Sequence, residues 1–194
     1  MASIVTSMDT EALMQIGAIV GEKNCSTRIA DLYTYGFDAS IHHVTPDVVV
    51  QPRSTEEVAS LVKLANKLKI PIVPRGAGTG LCGGAVPLKG GMVIDMTRMN
   101  KVKEVRIEDL YCVCEAGVIY DNLQKELAPH KFTFPPTPGS AEACTVGGMV
   151  ATNASGMRAV KYGGTRDYVL GLEVVLPTGE IIRVGTRTLK NASG

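Results

Sequence analysis

The sequence predicts an α+β fold in two lobes: a small α/β lobe over about residues 30–98, then a β-rich lobe with helices over about 99–194. Three observations predict it. A strand–helix–strand unit runs from Asp47 to Pro74, short strands succeed one another between Met92 and Glu115, and a hairpin spans Leu172 to Val184.

Residues 9–20 read as a short helix, capped by Asp9 ahead of Leu13, Ile16 and Val20. Residues 47–50 (DVVV) form a strand closed by Gln51-Pro52. The clearest helix follows, capped by Ser54 or Thr55, with Glu56 and Glu57 in its first turn, where negative charge suits the helix dipole. Val58, Leu61, Val62, Ala65 and Leu68 recur at helical spacing and give it one apolar face. Pro71 opens the next strand, PIVP. Strands are expected at 92–96, 102–107 and 110–115, with a helix at about 118–128. Pro177 and Gly179 supply the turn of the last hairpin. The closing residues TRTLKNASG are polar and form no recognisable element, which reads as an interruption.

Composition narrows the function classes. With 45% apolar residues in 194, the chain buries a proper core. The net charge is only +1 and no Lys/Arg run stands out, which argues against a nucleic-acid partner. No stretch approaches the roughly 18 consecutive apolar residues of a transmembrane segment. The start has no charged region followed by a long apolar one, so no signal peptide is expected. The five cysteines form no CxxC pair, which suits reduced thiols in a cytoplasmic protein. Cys112 and Cys114 fall on one strand face and read as small buried hydrophobes. His42, His43 and His130 have no metal-site spacing, so no metal is expected.

Two glycine-rich segments carry the chemistry. The first runs from Pro74 to Gly91. Glycines allow positive φ and close backbone approach, so successive amides can turn toward one anion, and Arg75 adds charge at the same place. Gly78, Gly80 and Gly83 spell GxGxxG, but a Rossmann fold requires a helix opening inside the motif, and Gly84, Pro87, Gly90 and Gly91 would break one. The Gly-Lys-Ser/Thr of a Walker loop is missing too. What remains is a phosphate-cradling loop with strand on both sides. The second segment, Pro135 to Gly156, reads as a long ordered loop, poor in charge and dense in Gly, Ser, Thr and Asn. Ser140, Thr145, Thr152 and Asn153 offer hydrogen bonds, and Gly147-Gly148 lets a flat ring lie against the backbone. Together they fit an uncharged heteroaromatic group joined to a diphosphate.

The stretches DVVVQPRSTEEVASLVKLA, PRGAGTGLCGGAVP and TPGSAEACTVGGMVATNASGMRAVKYGGTRDYVLGLEVVLPTGEII, in that order, carry a family resemblance. From about Leu32 onward the chain resembles the FAD-binding (PCMH-type) domain of vanillyl-alcohol-oxidase-type flavoproteins, above all glycolate oxidase flavin subunits and FAD-linked D-lactate dehydrogenases. The resemblance implies that Arg75, Gly76, Ala77, Gly78, Thr79 and Gly80 form the loop that holds the FAD pyrophosphate. It implies that Pro138, Gly139, Ser140, Thr145, Gly147, Gly148, Asn153 and the stretch to Gly156 line pyrophosphate and isoalloxazine, and that the backbone near Ile182 meets the adenine. Some relatives attach FAD through a histidine in the first loop; there is none here, so FAD is expected to be non-covalent. Arg166-Asp167 is expected to be a structural ion pair.

The implied activity is FAD-dependent oxidation of a 2-hydroxy acid, glycolate or D-lactate, with electrons leaving to an acceptor protein or a quinone. The implied location is cytoplasmic, with partner subunits able to bring it to a membrane. The alternatives are another enzyme of the same fold (alditol, aryl-alcohol or cell-wall-precursor chemistry) and a flavin-carrying module without turnover. Family members continue into a substrate-binding domain past the position of Gly194, so this stretch alone is expected to be inactive. No catalytic base is assigned.

Overall fold

The computed structural model of the chain describes residues 8–188. Its first layer is a four-stranded sheet built from β1 (Cys25–Ser26), β2 (Val48–Val50), β3 (Ile72–Arg75) and β4 (Met92–Asp95) in the order β1-β2-β4-β3. β4 runs parallel to both β2 and β3, and β1 is antiparallel to β2. Side chains alternate across a strand, and these strands are apolar on both faces because both are covered. Val48, Val50, Met92 and Ile94 pack against Ile16 and Val20 of helix α1 (Thr10–Val20) and Leu61 and Ala65 of helix α3 (Thr55–Leu68). Val49 and Val93 point the other way, onto Leu32 of helix α2 (Ile29–Thr34). Ile16, Leu61, Met92 and Ile94 are almost fully buried, and each contributes roughly 1.5–3 kcal/mol by leaving water.

The capping chemistry matches the sequence. Asp9 accepts from the Glu11 amide at the start of α1, and Ser54 rather than Thr55 caps α3, accepting from the Glu57 amide. α2 and the short β1 had no strong signal in the sequence and are additions to the predicted elements.

The second half contains the hairpin of β5 (Val102–Arg106) and β6 (Tyr111–Cys114), with helix α4 (Tyr120–Leu127). Val118, Leu123 and Leu127 form its core, with Val102, Val105, Cys112 and Cys114 packed against it, so both cysteines pack as small hydrophobes but are half-buried rather than buried. The predicted long loop from Pro135 to Gly156 is partly wrong: helix α5 (Val146–Thr152) lies inside it. Thr145 caps that helix by accepting from the Gly148 amide, and Met149 is buried beneath it. Here a cap and a buried side chain outweigh the roughly 1 kcal/mol each glycine costs a helix.

A short helix α6 (Ala159–Tyr162) leads to the hairpin of β7 (Gly171–Val175) and β8 (Ile181–Gly185). Gly179 turns it with φ +80°, as the sequence predicted. The hairpin folds back onto α3: Thr55 Oγ1 donates to Glu173 at 2.7 Å and Asn66 Nδ2 donates to the Pro177 carbonyl. Of the polar tail TRTLKNASG, residues 189–194 lie outside the described residues.

Candidate functional site at two glycine-rich segments

β3 and β4 are parallel neighbours, yet the connection between them, residues 76–91, contains no helix. Parallel neighbours ordinarily need a crossover, usually helical, whose amides are consumed internally. Here the chain leaves Arg75 in a glycine-rich turn with Gly78 at φ +69°, the left-handed region open chiefly to glycine. Among the described residues, the amides of Ala77, Gly78, Thr79 and Gly80 donate to no protein group. Only the carbonyl of Gly80 is engaged, accepting from the Ala39 amide at 3.0 Å. A row of unspent amides at the carboxyl end of a parallel strand is the arrangement that receives an anion.

The second segment meets the first at Gly76. A Cβ at Gly76 would overlap the hydroxyl of Thr145, which is itself buried at the start of α5. Thr145 is also joined to Ile119 by an isolated bridge, so it fixes the segment to the second core. Gly147 lies against Ala116, where a Cβ would come within 2.7 Å of the Ala116 Cβ. That glycine is therefore needed for packing within the protein. Gly148 gives its amide to Thr145 at 3.2 Å. At the far end, a Cβ on Gly156 would overlap the Thr137 carbonyl, bringing 153–156 beside Thr137-Pro138. Tyr120 holds this stretch from below, its hydroxyl donating to the Phe134 carbonyl at 2.9 Å and contacting Thr137 Oγ1 at 3.0 Å.

Asn153 adopts φ +48° and accepts from the Arg166 amide at 3.0 Å, so its side chain organises the following loop. Thr165 is buried there, its hydroxyl donating to the Ala154 carbonyl. The expected Arg166–Asp167 ion pair is absent among the described residues. Asp167 instead accepts from the Gly164 amide at 2.8 Å, a local cap. Pro138, Gly139 and Ser140 form an open turn, and nothing lies within 4 Å of where a Cβ on Gly139, Gly80 or Gly84 would sit. Ile182 stands apart on β8, opposite Val174, on a hairpin whose side-chain ties run to α3 and, through Arg187, to Tyr111.

Arg75 differs most from its sequence expectation of added charge at the loop. Its side chain is buried, donating through Nη1 to the carbonyls of Phe37 at 2.8 Å and Ala85 at 3.5 Å, with the guanidinium 5.3 Å from the Tyr35 ring centre. Around it lies a polar cluster that sequence reading missed. Tyr35 donates to Asp95 at 2.6 Å and Gln51 donates to the same oxygen at 2.7 Å, while the Thr97 amide reaches the other oxygen at 2.9 Å. Burial and the bond to Asp95 push the Tyr35 hydroxyl pKa well up, which keeps it a donor. Asp38 is also buried. Desolvation raises its pKa, but hydrogen bonds from Ser40 and the Arg75 charge outweigh that and the net shift is downward. One signal was present in the sequence: Asp95 ends an otherwise apolar strand, and a buried carboxylate requires partners.

These features fit a flavin dinucleotide: unspent amides at 77–80 for a diphosphate, and open space over the glycine backbone at Gly80, Gly84 and Gly139. The family described as FAD binding domain matches residues 46–185. A D-lactate dehydrogenase of Anaerostipes hadrus is 51% identical over 149 residues, covering 77% of this chain and 31% of that protein. The glycolate oxidase subunit GlcD of Bacillus subtilis (strain 168) is 38% identical over 192 residues, covering 98% of this chain and 40% of that protein. Among solved structures, an alkyldihydroxyacetonephosphate synthase superposes with a TM-score of 0.85 at 28% identity, covering 96% of this chain and 36% of that one. The chain thus spans about a third to two fifths of the length of the relatives it matches.

Proposed function

The chain belongs to the FAD-binding domain family, and we propose that it is the flavin-holding part of an oxidoreductase acting on a 2-hydroxy acid of the glycolate or D-lactate type. The observation that carries the flavin site is the row of unspent amides from Ala77 to Gly80, held against the second glycine-rich segment by the Gly76–Thr145 contact. In this reading the amides of 76–80 receive the diphosphate. Pro138, Gly139, Ser140, Thr145, Gly147, Gly148, Asn153 and Gly156 shape the wall beside the ring, and the backbone at Ile182 meets the adenine. Bound FAD supplies the hydride acceptor; positioning and electrostatics are the protein's part. The substrate class rests on the similarity to proteins named D-lactate dehydrogenase and glycolate oxidase subunit.

No helix among the described residues is long and apolar enough to cross a membrane. We place the protein in the cytoplasm, passing electrons to an acceptor protein or quinone, with any membrane attachment made through partner subunits. A second reading, a different enzyme built on the same domain, is favoured by the match to the synthase structure.

The test has two stages. FAD is titrated into the purified chain and followed by flavin fluorescence and visible absorbance. Then D-lactate, glycolate and an aryl alcohol are added anaerobically to the FAD-loaded full-length gene product. Bleaching by the hydroxy acids is expected. A chain that ignores FAD removes the cofactor assignment, and bleaching by the aryl alcohol alone removes the substrate class.

A further inference from the structure

From the burial of Arg75 under residues 76–85, we infer that Arg75 is a positioning residue for the diphosphate loop: its side chain is the post around which the loop is wound, and the anion is met by backbone amides rather than by this charge. The inference rests on the flavin-site reading above and names how that site is built.

Three observations carry it. First, the place a Cβ would take at Gly78 is occupied by Nη2 and Cζ of Arg75, so the left-handed turn presses its inner side directly onto the guanidinium. Second, one nitrogen of that group reaches two separate carbonyls, one outside the loop and one near its end. Nη1 donates to Phe37, whose neighbourhood also grips the loop through the Ala39–Gly80 bond, and approaches Ala85 near the loop's far end. The loop therefore closes around the side chain of the residue that starts it. Third, the guanidinium carbon lies over the Tyr35 ring, 5.3 Å from its centre, and Tyr35 is held by Asp95. A planar fork with several fixed donors does this; an ammonium on a flexible stem does not.

The electrostatics point the same way. Arg75 shares its surroundings with two buried carboxylates, Asp38 and Asp95, whose charges act on it. One cation opposed by two carboxylates leaves no surplus positive charge for a ligand above. Asp38 keeps one carboxylate oxygen buried without a hydrogen-bond partner, which the adjacent guanidinium charge makes tolerable. An anion bound over this cluster is stabilised by the amide dipoles of 77–80, which carry no mobile charge.

The experiment measures dissociation constants of FAD, and of ADP as a flavin-free diphosphate, for the chain and for Arg75→Lys and Arg75→Met, each at low and high salt. Thermal unfolding is followed in parallel. Both variants are expected to weaken FAD and ADP by the same factor, about tenfold or more (about 1.4 kcal/mol per tenfold), with Lys failing to rescue. Affinity of the parent is expected to change little with salt, because the amide dipoles of 77–80 offer no net charge for salt to screen. If Arg75→Met does not fold, Arg75→Lys and the salt series of the parent decide the matter alone. Lysine restoring parental affinity, or a steep loss of parental affinity with salt, overturns the inference and makes Arg75 a phosphate-facing charge. A loss for FAD without a loss for ADP overturns it as well. A parent chain that binds neither ligand overturns the flavin-site reading and this one together, whereas rescue by lysine removes this one only.

Discussion

Gly76 and Thr145 are in contact so close that a single methyl group at residue 76 would overlap the Thr145 hydroxyl. This pair is where the two glycine-rich segments, 69 positions apart by the difference of their residue numbers, become one surface. Gly76 is not at positive φ, so its requirement for glycine is set by space and not by backbone strain.

The first prediction follows from that contact. Gly76→Ala is expected to destabilise the chain by roughly 1–3 kcal/mol, the usual range for overpacking. Thr145→Ala removes the cap on α5 and is expected to cost about 1 kcal/mol. The double variant is expected to cost less than the two together, because the second change removes the atom the first one strikes. Chemical denaturation of the four proteins measures this. Strictly additive losses would mean the two residues do not touch.

Gly78→Val tests the loop more severely. Valine is poorly tolerated at φ +69°, and its side chain would also displace the Arg75 guanidinium. Flavin binding is expected to vanish while the first sheet, whose core lies in Val48, Val50, Met92 and Ile94, still unfolds cooperatively. Isothermal titration with FAD and a thermal melt separate the two effects. Unchanged FAD affinity would remove residues 76–80 from the binding site.

Bound flavin is expected to be released intact by acid or heat. Attachment through a histidine of the first loop needs that residue between Pro74 and Gly91, and the segment contains none. Denatured protein separated from small molecules should be colourless, with the absorbance recovered in the filtrate. Yellow colour that stays on the polypeptide would contradict this.

The layered first sheet was legible because local and global signals agree there. The apolar strand Val48–Val50, the amphipathic face of α3 and the caps Asp9 and Ser54 were all readable from neighbours in sequence. Helix α5 was not, since Gly147 and Gly148 are poor helix formers and the support comes from Thr145 and buried Met149. The glycine segments were legible as sites, but Arg75's direction was not. It is decided by Phe37, Ala85 and Tyr35, partners that only the fold assembles. The role of Asp167 turned on a single local bond to Gly164, and spacing alone could not separate a cap from an ion pair.

The last prediction concerns the hairpin that folds back on α3. Glu173 accepts from Thr55 at 2.7 Å and from Arg183 at 2.9 Å, and these hydrogen bonds, with Arg183 and Lys103 nearby, hold its carboxyl below the ordinary value. Glu56 on α3 is the like charge facing it. A carboxyl whose folded pKa is depressed binds its proton less readily in the native state than in the unfolded one. Its stabilisation is therefore complete above the unfolded value of about 4.3 and is lost as pH falls through the lower, folded value. Other carboxyls with depressed values, Asp31 and Glu104 among them, act in the same direction, so the whole chain loses stability in acid. Comparison with Glu173→Gln isolates one of them. Glutamine keeps an acceptor for Thr55 but does not titrate, so the stability difference between parent and variant is expected to shrink as pH is lowered from about 6 through the carboxylate range. The measurement is urea unfolding of both proteins at matched pH. A difference that stays constant, or grows in acid, would mean that the charge of Glu173 does not help dock the hairpin on α3.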